Sequence, residues 1–181
     1  MSLFLATLLF GLFLTLLGAV LLWNNSAVGS TARDLPRSKR AAWLFFGTGA
    51  VWFVWRVSRL NESDLIFSTT PQPVMLGFAV LALLAFVYTP DFLAVRGLCT
   101  LVLLAAEPLL YAAYMEYQYP QRLLMVTGVY LAVSLALYLA AAPYRLRDFF
   151  EWLFRMPARP RLLGAVLLAY GLATSAAAFT Y

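Results

Sequence analysis

Histidine is absent from this chain of 181 residues, and cysteine occurs once, at Cys99. Those two absences remove disulfide frameworks, cysteine and histidine zinc sites, histidine-ligated haem and every catalytic triad that runs through an imidazole. Charge is scarce too. Only 12% of the residues are Asp, Glu, Lys or Arg, against about 25% in soluble domains. So few polar side chains cannot cover the surface of a soluble globule. No glycine-rich phosphate loop, Walker motif or carboxylate cluster occurs. Cys99 has no histidine to activate it and reads as a small apolar residue, while Ser134 and Ser175 lack a nucleophile-elbow context. The chain is therefore expected not to be an enzyme and to need neither a cofactor nor a metal.

What the chain has is apolar surface: 64% hydrophobic residues, 16% aromatic, and a mean hydropathy of +0.83. Crossing a hydrocarbon core of roughly 30 Å takes about 20 apolar residues in a helix. Six runs approach that size, at residues 3–23, 41–57, 73–89, 97–115, 123–142 and 162–179. A membrane β-barrel would alternate apolar and polar positions; Phe78 to Phe86 shows no alternation. Helices satisfy their own backbone hydrogen bonds where water is absent. The expected fold is all-α: a single polytopic membrane domain over residues 1–181, with six transmembrane helices in three hairpins and one cytoplasmic interfacial amphipathic helix. The first run is expected to persist as a helix. No positive charge precedes it and it exceeds the apolar core of a signal peptide, although Ala27-Val28-Gly29 offers small residues for cleavage.

The net charge of +5 points to membrane orientation and anionic lipid rather than nucleic acid. On this topology Arg33, Arg37, Lys39, Arg40, Arg96, Arg145, Arg147, Arg155, Arg159 and Arg161 share one side. Arg56, Arg59 and Arg122 take the other. The positive-inside rule puts the first set in the cytoplasm and both termini outside, in a bacterial cytoplasmic membrane. The external side would carry the loop at 58–72. Its Asn61-Glu62-Ser63, like Asn24-Asn25-Ser26, matches a glycosylation tripeptide too common to weigh.

Small residues every fourth position let helices approach closely in lipid. Gly11, Thr15 and Ala19 make one such stripe, Gly128, Ala132, Ala136 and Ala140 the longest, and Gly171 with Ser175 a short one. An offset of 121 residues aligns Leu35-Pro36 and Arg40 with Met156-Pro157 and Arg161, and the first stripe with Ala132, Ala136 and Ala140; the ungapped match is otherwise sparse. Residues 144–156 place Leu146, Phe149, Phe150, Leu153 and Phe154 on one helical face, opposite charged residues. This segment reads as the interfacial helix, with Arg145, Arg147, Arg155, Arg159 and Arg161 toward lipid headgroups.

One carboxylate falls inside a run. Counted from Gly97, Glu107 lies roughly 15 Å deep, followed by Pro108, which leaves the Leu104 carbonyl without its helical donor. Arg96, Thr100, Glu107, Tyr111 and Tyr114 share a helix face, and Arg56 on the second run is within reach of Glu107. An Arg56–Glu107 pair is expected, serving either as a helix lock or as a proton- or cation-handling group. Trp23, Trp43, Trp55, Tyr88 and Tyr117 lie near span ends, as an aromatic belt requires. Two functions follow as expectations. The first is a non-enzymatic structural or accessory subunit, working through helix packing and docking to lipid, to a membrane-protein partner or to a second copy. The alternative is a small transporter or channel built on Glu107. Lipid handling by the arginines at 145–161 ranks third, for want of a catalytic residue.

Overall fold

The computed structural model describes residues 1–23, 25–60, 70–88 and 91–181. Helix accounts for 83% of it, with no strand among the described residues. The elements are α1 (Leu3–Trp23), α2 (Ser26–Asp34), a 3-10 turn (Leu35–Arg37), α3 (Lys39–Val57), α4 (Pro71–Tyr88), α5 (Leu93–Ala112), α6 (Arg122–Ala141), α7 (Tyr144–Leu153) and α8 (Ala158–Ala178). Local chemistry sets several starts. Asn25 accepts a hydrogen bond from the Ala27 amide at 3.4 Å to cap α2, and Ser38 accepts from Ala41 at 3.3 Å to cap α3. Pro71 opens α4, where a missing N–H costs nothing.

Five helices are long and apolar enough to cross a membrane: α1, α4, α5, α6 and α8. The run at 41–57 lies in α3, which is not among them. Arg40 precedes it, Arg56 falls inside its last turn, and Trp43, Trp52, Trp55 and Gly47-Thr48-Gly49 dilute its apolar content. α2 was not foreseen. Residues 61–69, which hold most of the expected external loop and its Asn61 tripeptide, lie outside the described residues, as does Asn24.

The main packing partners are not the helices that the sequence pairs as hairpins. α1 packs along α8, α5 packs against both α3 and α6, and α4 leans on α3, whereas neither α1 with α3 nor α4 with α5 forms a packed pair. α4 is held by rings: Trp43 stacks on Phe86 at 4.4 Å, and Phe53 meets Phe78 edge-on at 5.0 Å. The pairings give directions. Gly18 faces Gly164 while Gly11 faces Ser175, so α1 and α8 are antiparallel; Gly97 faces Phe46 and Gly49 faces Thr100, so α3 and α5 are parallel. The starts of α3, α5 and α8 thus share one end of the bundle with the finishes of α1, α4 and α6. This end carries Arg33, Arg37, Lys39, Arg40, Arg96 and the arginines from 145 to 161.

Glycine makes the tightest seam. A Cβ on Gly18 would stand 2.5 Å from the Leu168 amide nitrogen, and one on Gly171 2.5 Å from that of Thr15. Any larger residue would force the two backbones apart. The Thr15 hydroxyl returns a hydrogen bond to the Gly11 carbonyl at 2.9 Å. Ala19 is exposed, and Gly18 occupies the seam instead. On α6, Gly128 and Ala136 are buried, Ala132 is half-buried and Ala140 is exposed. The reason is geometric: at 3.6 residues per turn, each four-residue step advances about 40° beyond a full turn, so the stripe drifts off the contact face. Met125, Val129 and Leu139 complete that face. Hydrogen bonds tie the other end together. Thr7, fully buried, has its hydroxyl 3.3 Å from the Tyr181 hydroxyl, and the Tyr170 hydroxyl donates to the Leu124 carbonyl at 2.6 Å.

α7 forms within the expected 144–156, and part of its apolar face lies on protein. Leu146 and Leu153 are buried, Phe150 packs on the cluster of Val95, Cys99 and Ala136, and Phe154 lies over Gly29 of α2. The unforeseen α2 and the 3-10 turn supply protein surface for α7's apolar face, so α7 caps the basic end of the bundle. Phe149 and Trp152 stay exposed at its rim.

A candidate tyrosine-lined cleft

The opposite end is open. Between the finish of α5 and the start of α6 lies a cleft of about 480 Å³, lined by Glu107, Tyr111, Tyr114, Tyr117, Arg122 and Tyr130 with apolar Leu110, Met115, Leu123 and Val126. The turn that shapes it includes Met115 at φ 61°, a left-handed conformation that a side chain adopts only at a cost of roughly 1–2 kcal/mol. Tyr111 and Tyr114 are largely exposed.

The sequence-expected residues divide. Arg56 and Glu107 form an ion pair that joins the last turn of α3 to α5, each side chain about half exposed. Glu107, Tyr111 and Tyr114 line the cleft together. Thr100 does not join them. Its hydroxyl donates to the Arg96 carbonyl at 3.0 Å, and its methyl packs toward Gly49, two turns from Glu107. The depth of Glu107 also changes. α5 starts at Leu93 rather than Gly97 and ends at Ala112, which puts Glu107 roughly 7 Å short of the helix end, not at its middle.

Arg122 is the residue that sequence reasoning assigned only to a side of the membrane. Its Nη1 donates to the Ala113 carbonyl, which has no helical donor at the end of α5, and its guanidinium lies 4.8 Å over the Tyr117 ring. No carboxylate pairs with it among the described residues. A signal was available: Tyr111, Tyr114 and Tyr117 recur every third residue just before Arg122.

At the basic end the five arginines behave differently from one another. Arg147 pairs with Asp148 at 2.7 Å and approaches Glu151 at 3.8 Å, and the bond to Asp148 pushes its already high pKa further up. Arg159 is half-buried. It donates to the Trp152 carbonyl at 2.7 Å and lies 4.4 Å over that ring. Arg145 sits over Tyr144, and Arg145, Arg155 and Arg161 are exposed.

The long apolar helices define the class: a helical, multi-pass membrane protein. Comparison with protein-family models, with curated proteins and with solved structures finds no match.

Proposed function

We propose that the chain is a non-enzymatic accessory or structural subunit of the bacterial cytoplasmic membrane, crossing it six times with both termini outside. It works by seating a transmembrane helix, from a second copy or from another membrane subunit, against α3 and α4. One observation carries this reading. Gly47 on α3 and Gly77 on α4 have nothing within 4 Å of where a Cβ would stand. Glycine costs a helix about 1 kcal/mol relative to alanine, and in lipid its use is to admit a neighbouring backbone. Gly47 lies in an open groove of about 510 Å³ with Trp43, Val51 and Trp55, and no residue of α4 is fully buried.

The sixth crossing is α3 itself, which runs parallel to α5 and is nearly as long. With ten cations at its end of the bundle, the capped face belongs in the cytoplasm, where Arg145, Arg155 and Arg161 meet anionic headgroups. Purification in mild detergent tests the reading. A particle larger than the 20.2 kDa chain, reduced to a lone chain by Gly47→Leu, is expected. A lone monomer without a co-purifying protein defeats it.

A carrier built on Glu107 is the weaker reading, because it requires a carboxylate at mid-depth beside water. Cysteines in place of Thr100 and Tyr111 distinguish the two. Reaction of both with aqueous thiol reagents would restore the carrier, whereas reaction at Tyr111 alone fits a surface cleft.

A further inference from the structure

The open end of the bundle combines three features that the accessory reading does not use. Arg122 is a guanidinium without a carboxylate partner, lining a cleft at the level where α5 ends and α6 begins. Its Nη1 is engaged by the Ala113 carbonyl, and its other N–H groups have no protein acceptor among the described residues. Tyr111, Tyr114 and Tyr130 line the same space with exposed rings and hydroxyls. Glu107 completes the polar wall. Its Oε1 accepts from Arg56, and Oε2 has no protein partner among the described residues.

Each feature selects a chemistry. With Nη1 on the Ala113 carbonyl and the ring of Tyr117 against its face, the Arg122 guanidinium still has its remaining N–H donors for a phosphate. Exposed tyrosine rings attract an ammonium group through their π-faces, the more so beside a carboxylate. The remaining lining is apolar, Leu110, Leu123 and Val126, continuous with helices that face lipid. A cleft of about 480 Å³ lies in the range of small-ligand sites. The charge of this end argues against an anionic occupant. Among the described residues this end holds Arg56, Arg59 and Arg122 against Glu107 and Glu116, a near balance, with Arg56 neutralised by Glu107 and Glu107 itself on the cleft wall. Ten of the thirteen cations stand at the other end.

We infer that the cleft between α5 and α6 binds the headgroup of a zwitterionic phospholipid, its phosphate on Arg122 and its ammonium among Tyr111, Tyr114, Tyr130 and Glu107. The glycerol and first methylenes then lie along Leu110, Leu123 and Val126. The site holds one lipid at the face opposite the basic cap, so the two ends of the bundle select different headgroups. Lipid retention reads it independently of any subunit contact at α3 and α4.

Native mass spectrometry of the full chain in detergent tests the site, with phosphatidylethanolamine, phosphatidylcholine and phosphatidylglycerol titrated separately. One phosphatidylethanolamine or phosphatidylcholine is expected to stay bound at concentrations where phosphatidylglycerol does not saturate that site. Arg122→Gln should weaken the zwitterionic lipid about tenfold, the value of one charge-assisted contact of roughly 1.4 kcal/mol. Because Arg122 also holds the α5–α6 turn, Tyr114→Ala serves as the second variant. Its ring is largely exposed, and its loss should weaken the same lipid several-fold with the melting temperature unchanged. Glycerophosphoethanolamine, the headgroup without acyl chains, should bind at least ten times more weakly than the lipid. Equal retention of phosphatidylglycerol, unaltered retention in both variants, or equal binding of the chainless headgroup would each overturn the assignment.

Discussion

Along α1 and α8, Gly11, Gly18, Gly164 and Gly171 each face a neighbouring backbone, whereas Gly47 on α3 and Gly77 on α4 face nothing within 4 Å. Both sets lie in apolar helices, and both carry the same propensity cost. In water, burying apolar side chains would drive either pair of helices together. In lipid that drive is nearly gone, and close van der Waals approach takes its place. The α1–α8 seam is therefore a completed contact. The α3–α4 face holds the same ingredient uncompleted, and α4 rests on α3 through three aromatic contacts, those of Phe86 with Trp43 and Phe46 and of Phe78 with Phe53.

The contrast can be broken most forcefully at the seam. Gly171→Leu drives a side chain into the Thr15 backbone, and a loss of about 3 kcal/mol is expected, near the top of the overpacking range. A fall of roughly 10 °C in the detergent melting temperature would register it. Gly47→Leu is the counterpart. With open space around it, the lone chain should lose nothing and gain up to about 1 kcal/mol from the better helix former, while association falls at least tenfold by analytical ultracentrifugation in detergent. Equal melting losses for the two variants would erase the distinction.

Smaller effects sharpen it. The Arg56–Glu107 pair is half exposed at the end of α3, where a surface pair contributes about 1 kcal/mol or less. A double-mutant cycle with Arg56→Gln and Glu107→Gln should return a coupling of that size; several kcal/mol would mean a pair sealed in the bundle. The smallest response belongs to the basic cap. Asp148 and Glu151 raise the pKa of Arg147, so the stability this cation contributes is fully present below its unfolded pKa and lost only as pH rises through the still higher folded value. Arginine is protonated throughout the ordinary range. The melting difference between the wild type and Arg147→Gln, measured at pH 6 and pH 9, should therefore not change.

Much of this was legible in the sequence because length and apolarity fix a spanning helix directly. α1 occupies the expected 3–23 and α6 lies within one residue of expectation. The start of α5 was not legible. Phe92, at φ 56°, precedes it without a side-chain cap, so the apolar run reads as starting at Gly97, which centres Glu107 in a helix that in fact ends five residues after it. α2 escaped because SAVGSTARD has no long apolar stripe, although Asn25 offered a cap. With α2 hidden, the surface that receives Phe154 at the end of α7 was hidden too. The Arg56–Glu107 pair was readable from charge and span position alone. The cleft needed the α5–α6 turn, and with it Arg122 beside the tyrosines, which periodicity within one span does not report.

Photo-cross-linking in native membranes tests the uncompleted contact most directly. A benzophenone amino acid at position 51 in the α3 groove is compared with one at position 16, an equally outward position on α1. The account predicts a discrete protein adduct, a second copy or a single partner, from position 51 only, and its disappearance in Gly47→Leu. Lipid adducts alone at both positions would contradict it.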